Sequence, residues 1–467
     1  MTVRTKTRSI SLLAIVALLG LAIGAQTAEG AVSTSYSGAT SDGGSWVADV
    51  PSPWNGTLLL YSHGFGPPAP ADAPDPATKQ ALLDRGYALV GSSYDPAGSW
   101  WALGSALRDQ FEAVAGVNQY LTKAPDHLIA FGTSMGGLIS ALEDEANAYG
   151  RVDGSLTTCG IVGGAIQLNN YQLDGEYTIS KLLGAGAPIK LVRFASPDEG
   201  LATGKILDGL AQSAQASPQG RARLALAMAF LNVSPWAPGA SMPGASDYGA
   251  QEEGQYQVEF SGPFTTMDFV ESGRPWIEQA AGGNGSWTVG VDFKRLLHAS
   301  SYAREVKALY RDAGLNLRHD LDTLTRDADI KADTDAITWL AGTSVPSGEL
   351  LGPELDLHTI SDQLVPVQHE NHYGRVVRRA GSSRLLRQAF IERQQHCNFT
   401  PGELVAGVLA VQYRIETGRW DSVAKPRKLE ATARSLGLGD AAFIPYRPDP
   451  LSGNNGPFDP LTDGTGG

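Results

Sequence analysis

The residues best suited to chemistry begin with Gly132-Thr133-Ser134-Met135-Gly136, a serine framed by glycines where an apolar run meets a helical pattern. A serine on a sharp strand-to-helix turn is held in a strained backbone conformation, and its hydroxyl then stands clear of the sheet. The helix N-terminus behind it favours developing negative charge. A hydroxyl alone is a weak nucleophile; it needs a base, and the base needs a carboxylate to orient it. Downstream, Asp362 in HTISDQLVPV and His396 in RQQHCNFTPGE follow in the order serine, acid, histidine. Glu354 and Asp356 lie nearby, but Asp356 falls within a strand, where its side chain is badly directed. An oxyanion needs backbone N–H donors aimed at it. Met135, next after the serine, supplies one, and Phe65 in the HGFG stretch supplies the other, with His63 bracing that loop.

These residues need elements to hold them. Ser45–Val50 and TLLLYS, Thr57–Ser62, read as strands, followed by a proline-rich loop. A helix at Ala77–Arg85, a strand at Tyr87–Ser93 and a helix at Ala106–Thr122 come next. The strand His127–Phe131 leads into the serine turn, the helix Met135–Ala148 leaves it, and Gly154–Gly160 is a further strand. Such alternation marks a parallel sheet with helices on both faces. It stops from Gly164 to about Pro346, where Ile206–Gln215, Arg221–Leu231 and Tyr302–Ala313 have helical patterns. Between them lies a loop rich in Pro, Gly and aromatic residues, from Trp236 to Trp287. Alternation resumes with a strand at Glu354–His358, a helix from Val367 to Arg379, a strand at Leu385–Ile391 and a helix at Pro401–Glu416. Ser134, Asp362 and His396 all fall just past carboxyl ends of strands, where open parallel sheets bind ligands.

The chain is 467 residues long, with a globular composition. Arg4, Lys6 and Arg8 precede the apolar run Ile10–Ala25, and Ala28-Glu29-Gly30 offers a cleavage site. That is the pattern of a secretory signal peptide, so residues 1–30 are expected to be removed and the protein exported, with no stable membrane anchor. The net charge of −13 argues against nucleic acid as a partner. Cys159 and Cys397 are the two cysteines. In an exported chain an even count implies a disulfide, and only one pairing exists. The rest divides into a core at 31–163, a helical lid or cap insertion at 164–346, a second part of the core at 347–447, and a flexible tail at 448–467.

The segments TLLLYSHGFG, AFGTSMGG, SDQLVP and QQHCNF, in this order, resemble the α/β-hydrolase superfamily, in particular secreted bacterial serine esterases and lipases. The likeness covers about Ser45–Gly164 and Gly352–Gly418 and leaves the insertion unmatched. It implies an α/β fold with a mostly parallel eight-stranded sheet flanked by helices. It also implies ester hydrolysis through an acyl-enzyme, with Ser134 as nucleophile, Asp362 as acid and His396 as base. Histidine followed at once by cysteine also resembles tannase and feruloyl esterase types, in which a disulfide ties the histidine loop to the nucleophile region. Here the residue before the serine is Thr133 instead of cysteine. A Cys159–Cys397 bond would still pin the histidine loop to the sheet.

The expected activity is that of a secreted serine carboxylesterase or lipase, acting on a small-molecule or polymeric ester with an apolar or aromatic part. A serine peptidase of the same fold is the alternative, and a non-catalytic binding protein on this scaffold is a third reading. Trp100 and Trp101 lie near the expected pocket rim, and the aromatic residues of the insertion could form a substrate wall. His358, His369 and His372 cluster near the acid. His369 and His372 could share a helix face as metal ligands, but the reading preferred is that they are polar surface side chains. Neither a metal nor a cofactor is expected.

Overall fold

The computed structural model describes residues 32–454, so the expected signal peptide at residues 1–30 lies outside the described residues. The chain opens with β1 (Val32–Ala39) and β2 (Ser45–Ser52), then β3 (Thr57–Ser62), α1 (Pro76–Leu83), β4 (Ala88–Ser92) and α2 (Ala106–Asn118). β5 (His127–Thr133), α3 (Met135–Glu145) and β6 (Gly154–Thr158) follow. A purely helical stretch comes next: α4 (Ala165–Leu183), α5 (Pro197–Ala214), α6 (Pro218–Leu231), α7 (Tyr248–Phe260), α8 (Thr266–Ala281), α9 (Phe293–Ala299), α10 (Ala303–Asp312), α11 (Leu317–Arg326) and α12 (Thr334–Thr343). The chain then returns to β7 (Glu354–Ser361), α13 (Gln368–Arg379), β8 (Leu386–Gln394), α14 (Pro401–Thr417), α15 (Pro426–Leu436) and β9 (Phe443–Ile444).

The strands form one sheet in the order β1-β2-β4-β3-β5-β6-β7-β8-β9. From β4 to β8 neighbours are parallel; β1, β2 and β9 are antiparallel additions at the two edges. The sheet has nine strands among the described residues, where the resemblance implied eight and the sequence pattern named seven. The two that the pattern left out are β9, with two residues too short to leave a pattern, and β1: VSTSYSGA is polar and mostly exposed on both faces, so it carries no apolar alternation.

The central strands are buried on both faces, as parallel sheets require. Leu58 and Leu60 of β3 pack with Phe111, Val114 and Val117 of α2. Leu59 and Tyr61, of opposite parity, join Leu82 of α1 and Val405 and Val408 of α14 on the other side. A run such as TLLLYS is apolar throughout because neither of its faces meets water.

The helices between β6 and β7 enclose an apolar cluster of their own, built around Leu173, Phe230, Met267, Phe293 and Tyr310. α5 and α6 start on Ser-Pro steps, with Ser196 and Ser217 accepting from the amides of Glu199 and Gly220. The segment read as an aromatic loop is instead largely helical. α7 is capped by Asp247, and α8 opens on a Thr265–Asp268 capping box. Pro275 lies inside α8 and disguises it in the sequence.

The tail, expected to be loose from residue 448, is held as far as it is described. Leu451 and Ser452 are buried. Ser452 exchanges two hydrogen bonds with Asn232 (2.7 and 2.9 Å), and Asn170 Nδ2 donates to the Asn454 carbonyl at 2.8 Å. No helix among the described residues is long and apolar enough to cross a membrane.

Candidate active site

β5 delivers Ser134 to the end of the sheet, and the turn leaves no spare room. Ser134 has φ 61° and ψ −122°, a conformation that costs about 1–3 kcal/mol for a residue with a side chain. Its N–H donates to the Thr158 carbonyl of β6 (2.9 Å), and its carbonyl accepts from Gly137 (2.9 Å). A Cβ on Gly132 would lie 1.8 Å from the Gly136 carbonyl oxygen, and one on Gly136 would lie 1.9 Å from that of Ser62. The flanking glycines are therefore steric necessities of a turn that crosses β3 at contact distance.

β7 and β8 each run on further than the sequence indicated, to Ser361 and Gln394, so Asp362 and His396 follow almost at once. The register shifts between Thr359, paired with Ile391, and Ser361, paired with Gln394, so the extra residue lies in β8, just before the histidine loop. Gln395 and Cys397, on either side of His396, both have positive φ (75° and 53°). Cys397 is bonded to Cys159 at the end of β6, with Cα atoms 5.4 Å apart. The histidine loop is thus fastened to the sheet beside the serine.

These elements bring three side chains into line. His396 Nε2 is 2.9 Å from Ser134 Oγ, and His396 Nδ1 is 2.7 Å from Asp362 Oδ2. A carboxylate accepts, so Nδ1 carries the ring proton and Nε2 is free to accept from the serine hydroxyl. Asp362 Oδ1 accepts from the amides of Leu364 (2.9 Å) and Val365 (2.8 Å), and the carboxyl is buried. Burial alone would raise its pKa. The His396 charge and hydrogen bond, with His358 and the Val365 amide, outweigh that and hold it below the ordinary value. Gln363, which the sequence reading passed over, accepts the His396 amide N–H at 2.9 Å; its only signal was its position next to the acid.

Met135 begins α3, so its N–H has no partner in the preceding turn of helix. Gly64 passes over the serine, an ideal Cβ there lying 3.2 Å from Ser134 Cβ, and Phe65 comes next. His63 braces this loop. Its Nδ1–H donates to the Gly64 carbonyl (2.8 Å), its ring stacks on Tyr94 at 4.2 Å, and the Tyr94 hydroxyl donates to its carbonyl (3.0 Å). Burial lowers the His63 pKa and keeps the ring neutral.

In front of Ser134 and His396 is a cavity of about 370 Å³. Its walls are apolar: Phe65, Trp101, Ile161 and Leu364 from the sheet side, Leu168 from α4, and Phe269, Val270 and Ile277 from α8. Gln172 of α4 sets an amide among them. The sequence pointed at the insertion's aromatic residues in general; Phe269 is the one that lines the cavity, and Gln172 was missed because it sits in a polar-looking stretch. Trp101 lines the cavity and donates from Nε1 to Ser344 Oγ (3.2 Å). Trp100 stands behind it, stacked on Trp276 at 4.9 Å and edge-on to Phe65 at 5.7 Å.

The histidines near the acid differ from expectation. His358, His369 and His372 are all buried, so His369 and His372 are not surface side chains. His369 Nδ1 accepts from the Gly163 amide (3.0 Å), and burial pushes its pKa down to about 3. Asp356 is buried within β7 and accepts from Thr157 Oγ1 at 2.5 Å, away from His396. Ligand atoms of Cys159, His396 and Cys397 lie within 4.8 Å of one another, but both sulfurs belong to the disulfide and offer no thiolate to a metal.

No protein-family model matches the chain. It is similar to an o-phthalyl amidase of Xanthobacter agilis, 28% identical over 438 residues, which span 86% of this chain and 91% of the relative. Among solved structures it is similar to a rice cell wall degrading esterase of Xanthomonas oryzae, with 15% identity, 82% and 87% of the two chains covered and a TM-score of 0.35. A feruloyl esterase B of Aspergillus oryzae gives 12% identity, 82% and 80% coverage and a TM-score of 0.38. An acylaminoacyl peptidase gives 9% identity and a TM-score of 0.38; 83% of this chain is covered, but only 41% of the peptidase.

Proposed function

The chain has the α/β-hydrolase fold, and from that premise we propose that it is a serine hydrolase that cleaves a carboxylic ester or amide through an acyl-enzyme. The observation that supports this best is the unbroken line Ser134–His396–Asp362 at the floor of an apolar cavity. In this reading the Ser134 oxygen attacks the substrate carbonyl while His396 Nε2 takes its proton. Asp362 keeps the imidazole in the required tautomer and stabilises the imidazolium. The amides of Met135 and Phe65 receive the oxyanion. His396 then protonates the leaving oxygen or nitrogen, and water repeats the sequence to release the acid.

We assign an apolar, aromatic acyl group to the cavity, on the strength of Phe65, Trp101 and Phe269 in its walls. Ester cleavage is the reading that follows from the sequence. Amide cleavage has its own support in the o-phthalyl amidase, which aligns along most of this chain. Export is also proposed: a basic-then-apolar N-terminal sequence and a disulfide both suit an oxidising compartment.

The test is hydrolysis of p-nitrophenyl esters from short to long acyl chains, an aryl ester, an aromatic acid amide and a peptide anilide. Ser134→Ala is run beside the natural protein. Turnover that disappears in Ser134→Ala supports the mechanism, and the rates on the matched aryl ester and amide rank the two bonds. Turnover unchanged in Ser134→Ala sinks it.

A further inference from the structure

Behind Asp362, on the side away from the serine, His358 and Glu370 are buried against each other. We infer that they share one bridging proton, and that this proton positions the turn carrying Asp362, so that turnover falls when the proton is lost. This rests on the assignment of Asp362 as the acid of the site.

The argument begins with donors and acceptors. His358 Nε2 is 2.8 Å from the Val365 carbonyl oxygen. A carbonyl has no proton to give, so Nε2–H donates. The other ring nitrogen, Nδ1, is 2.8 Å from Glu370 Oε1. Without a proton between them, a nitrogen lone pair and a carboxylate oxygen would face each other in a site closed to water. One proton resolves this on either side: a neutral imidazole accepting from a carboxylic acid, or an imidazolium donating to a carboxylate. When it is lost, the imidazole has one N–H and two acceptors, and one contact must fail.

Val365 makes the choice matter. Its own N–H, with that of Leu364, holds Asp362 Oδ1, while its carbonyl is held by His358. His358 therefore grips the far end of the turn that wraps the carboxylate, and its Nε2 also lies 3.7 Å from Asp362 Oδ2. Loosening that grip displaces the group that orients His396.

The surroundings set where the proton titrates. Asp356 and Asp362 face the pair from β7 and the loop after it, and His369 and His372 belong to α13 with Glu370. Gln388 of β8 donates to Glu370 Oε2 at 2.6 Å. Glu370, itself buried, also stands at the wall of a cavity of about 640 Å³ that Arg375, Arg378, Arg387 and Arg447 line, on the side away from the substrate pocket. Burial pushes Glu370 up to about 7 and lowers His358, the latter partly offset by Asp362 and the Val365 contact. Asp356 is pushed well above the carboxylate range by burial and by Glu370, so it stays protonated.

The experiment is kcat against pH for the natural protein and Glu370→Gln. A glutamine amide donates to His358 Nδ1 at every pH. The natural protein should lose about tenfold in kcat as pH rises from neutrality, the order of loss that a slightly displaced orienting group causes. Glu370→Gln should keep the neutral plateau and lose this alkaline limb. The same limb in both proteins, or a variant equally impaired at every pH, overturns the proposal. A second measurement stands apart from turnover: ¹⁵N resonances of His358 in Ser134→Ala, between about pH 6 and 9. Nδ1 should shift with pH while Nε2 stays protonated; a His358 that does not respond overturns the shared proton. Activity retained in Ser134→Ala would instead count against the serine mechanism and leave the resonance result to judge the pair.

Discussion

Cys397 is bonded to Cys159 one residue after the imidazole that meets Ser134, so the base and the strand next to the nucleophile are covalently one unit. The bond closes a loop with a sequence separation of 238 that contains the whole helical insertion. Replacing both cysteines by serine should lower stability by up to about 5 kcal/mol on the chain-entropy account. It should also reduce kcat, because the backbone strain at Gln395 and Cys397 is then free to relax. Denaturant titration and kinetics of the double variant check this; unchanged kcat would show that the loop holds His396 without the bond.

Asp362→Asn should keep the fold and lose about 10⁴-fold in kcat, since an asparagine amide in place of the carboxylate favours the wrong imidazole tautomer. The natural Asp362 also links stability to acidity. Its folded pKa lies below the ordinary value. Its contribution is therefore complete above the unfolded pKa and lost as pH falls through the folded one. The natural protein should lose more stability than Asp362→Asn between about pH 4 and 2, as read by denaturant midpoints; equal losses would contradict the prediction.

Gln172 is the amide in an apolar wall, so it should select for a polar substituent on the acyl group. Gln172→Leu should lower kcat/KM for a substituted aromatic substrate by roughly fivefold, the worth of about 1 kcal/mol for a neutral hydrogen bond. The unsubstituted analogue should be unaffected or improved. Equal changes for both substrates would mean that Gln172 only fills space.

Glu259 and Glu305, within the insertion's α7 and α10, have pKa values raised by burial to about 8. A carboxyl whose folded pKa is raised contributes stability that is full below its unfolded pKa and is lost as pH rises through the folded one. The Tm should therefore fall between about pH 5 and 8, and Glu259→Gln should flatten that slope. A Tm independent of pH over this range would count against buried, protonated side chains here.

Much of the sheet was legible because a strand buried on both faces is written as a plain apolar run, as in TLLLYS. Ser134 was legible because crowding at Gly132 and Gly136 forbids any larger residue, and Asp362 and His396 because chain order and strand ends restrict the choice. The insertion was harder to read. α4 buries Asn170, Asp174 and Glu176 along with its apolar residues, so its periodicity does not separate inside from outside. α8 carries a proline, and β1 shows polar residues on both faces. His369 and His372 misled in the same way: they look like surface residues until α13 is seen to press them against the sheet side of the molecule.

The hydrogen bonds from Asn170 and Asn232 to the chain's closing segment add to those that tie the helical insertion to the core, among them Ser361 Oγ to the Trp236 carbonyl (2.9 Å) and Gln394 Nε2 to the Ala237 carbonyl (2.6 Å). An insertion joined to its host only where the chain enters and leaves could swing about those two points like a door. This one is also latched by a segment that arrives after the last strand, and the latch falls on Asn232 at the end of α6 and on Asn170 of α4, the helix that bears Leu168 and Gln172. Removing residues 448 onward should therefore alter which substrates enter, although every residue that touches the reacting bond would still be present.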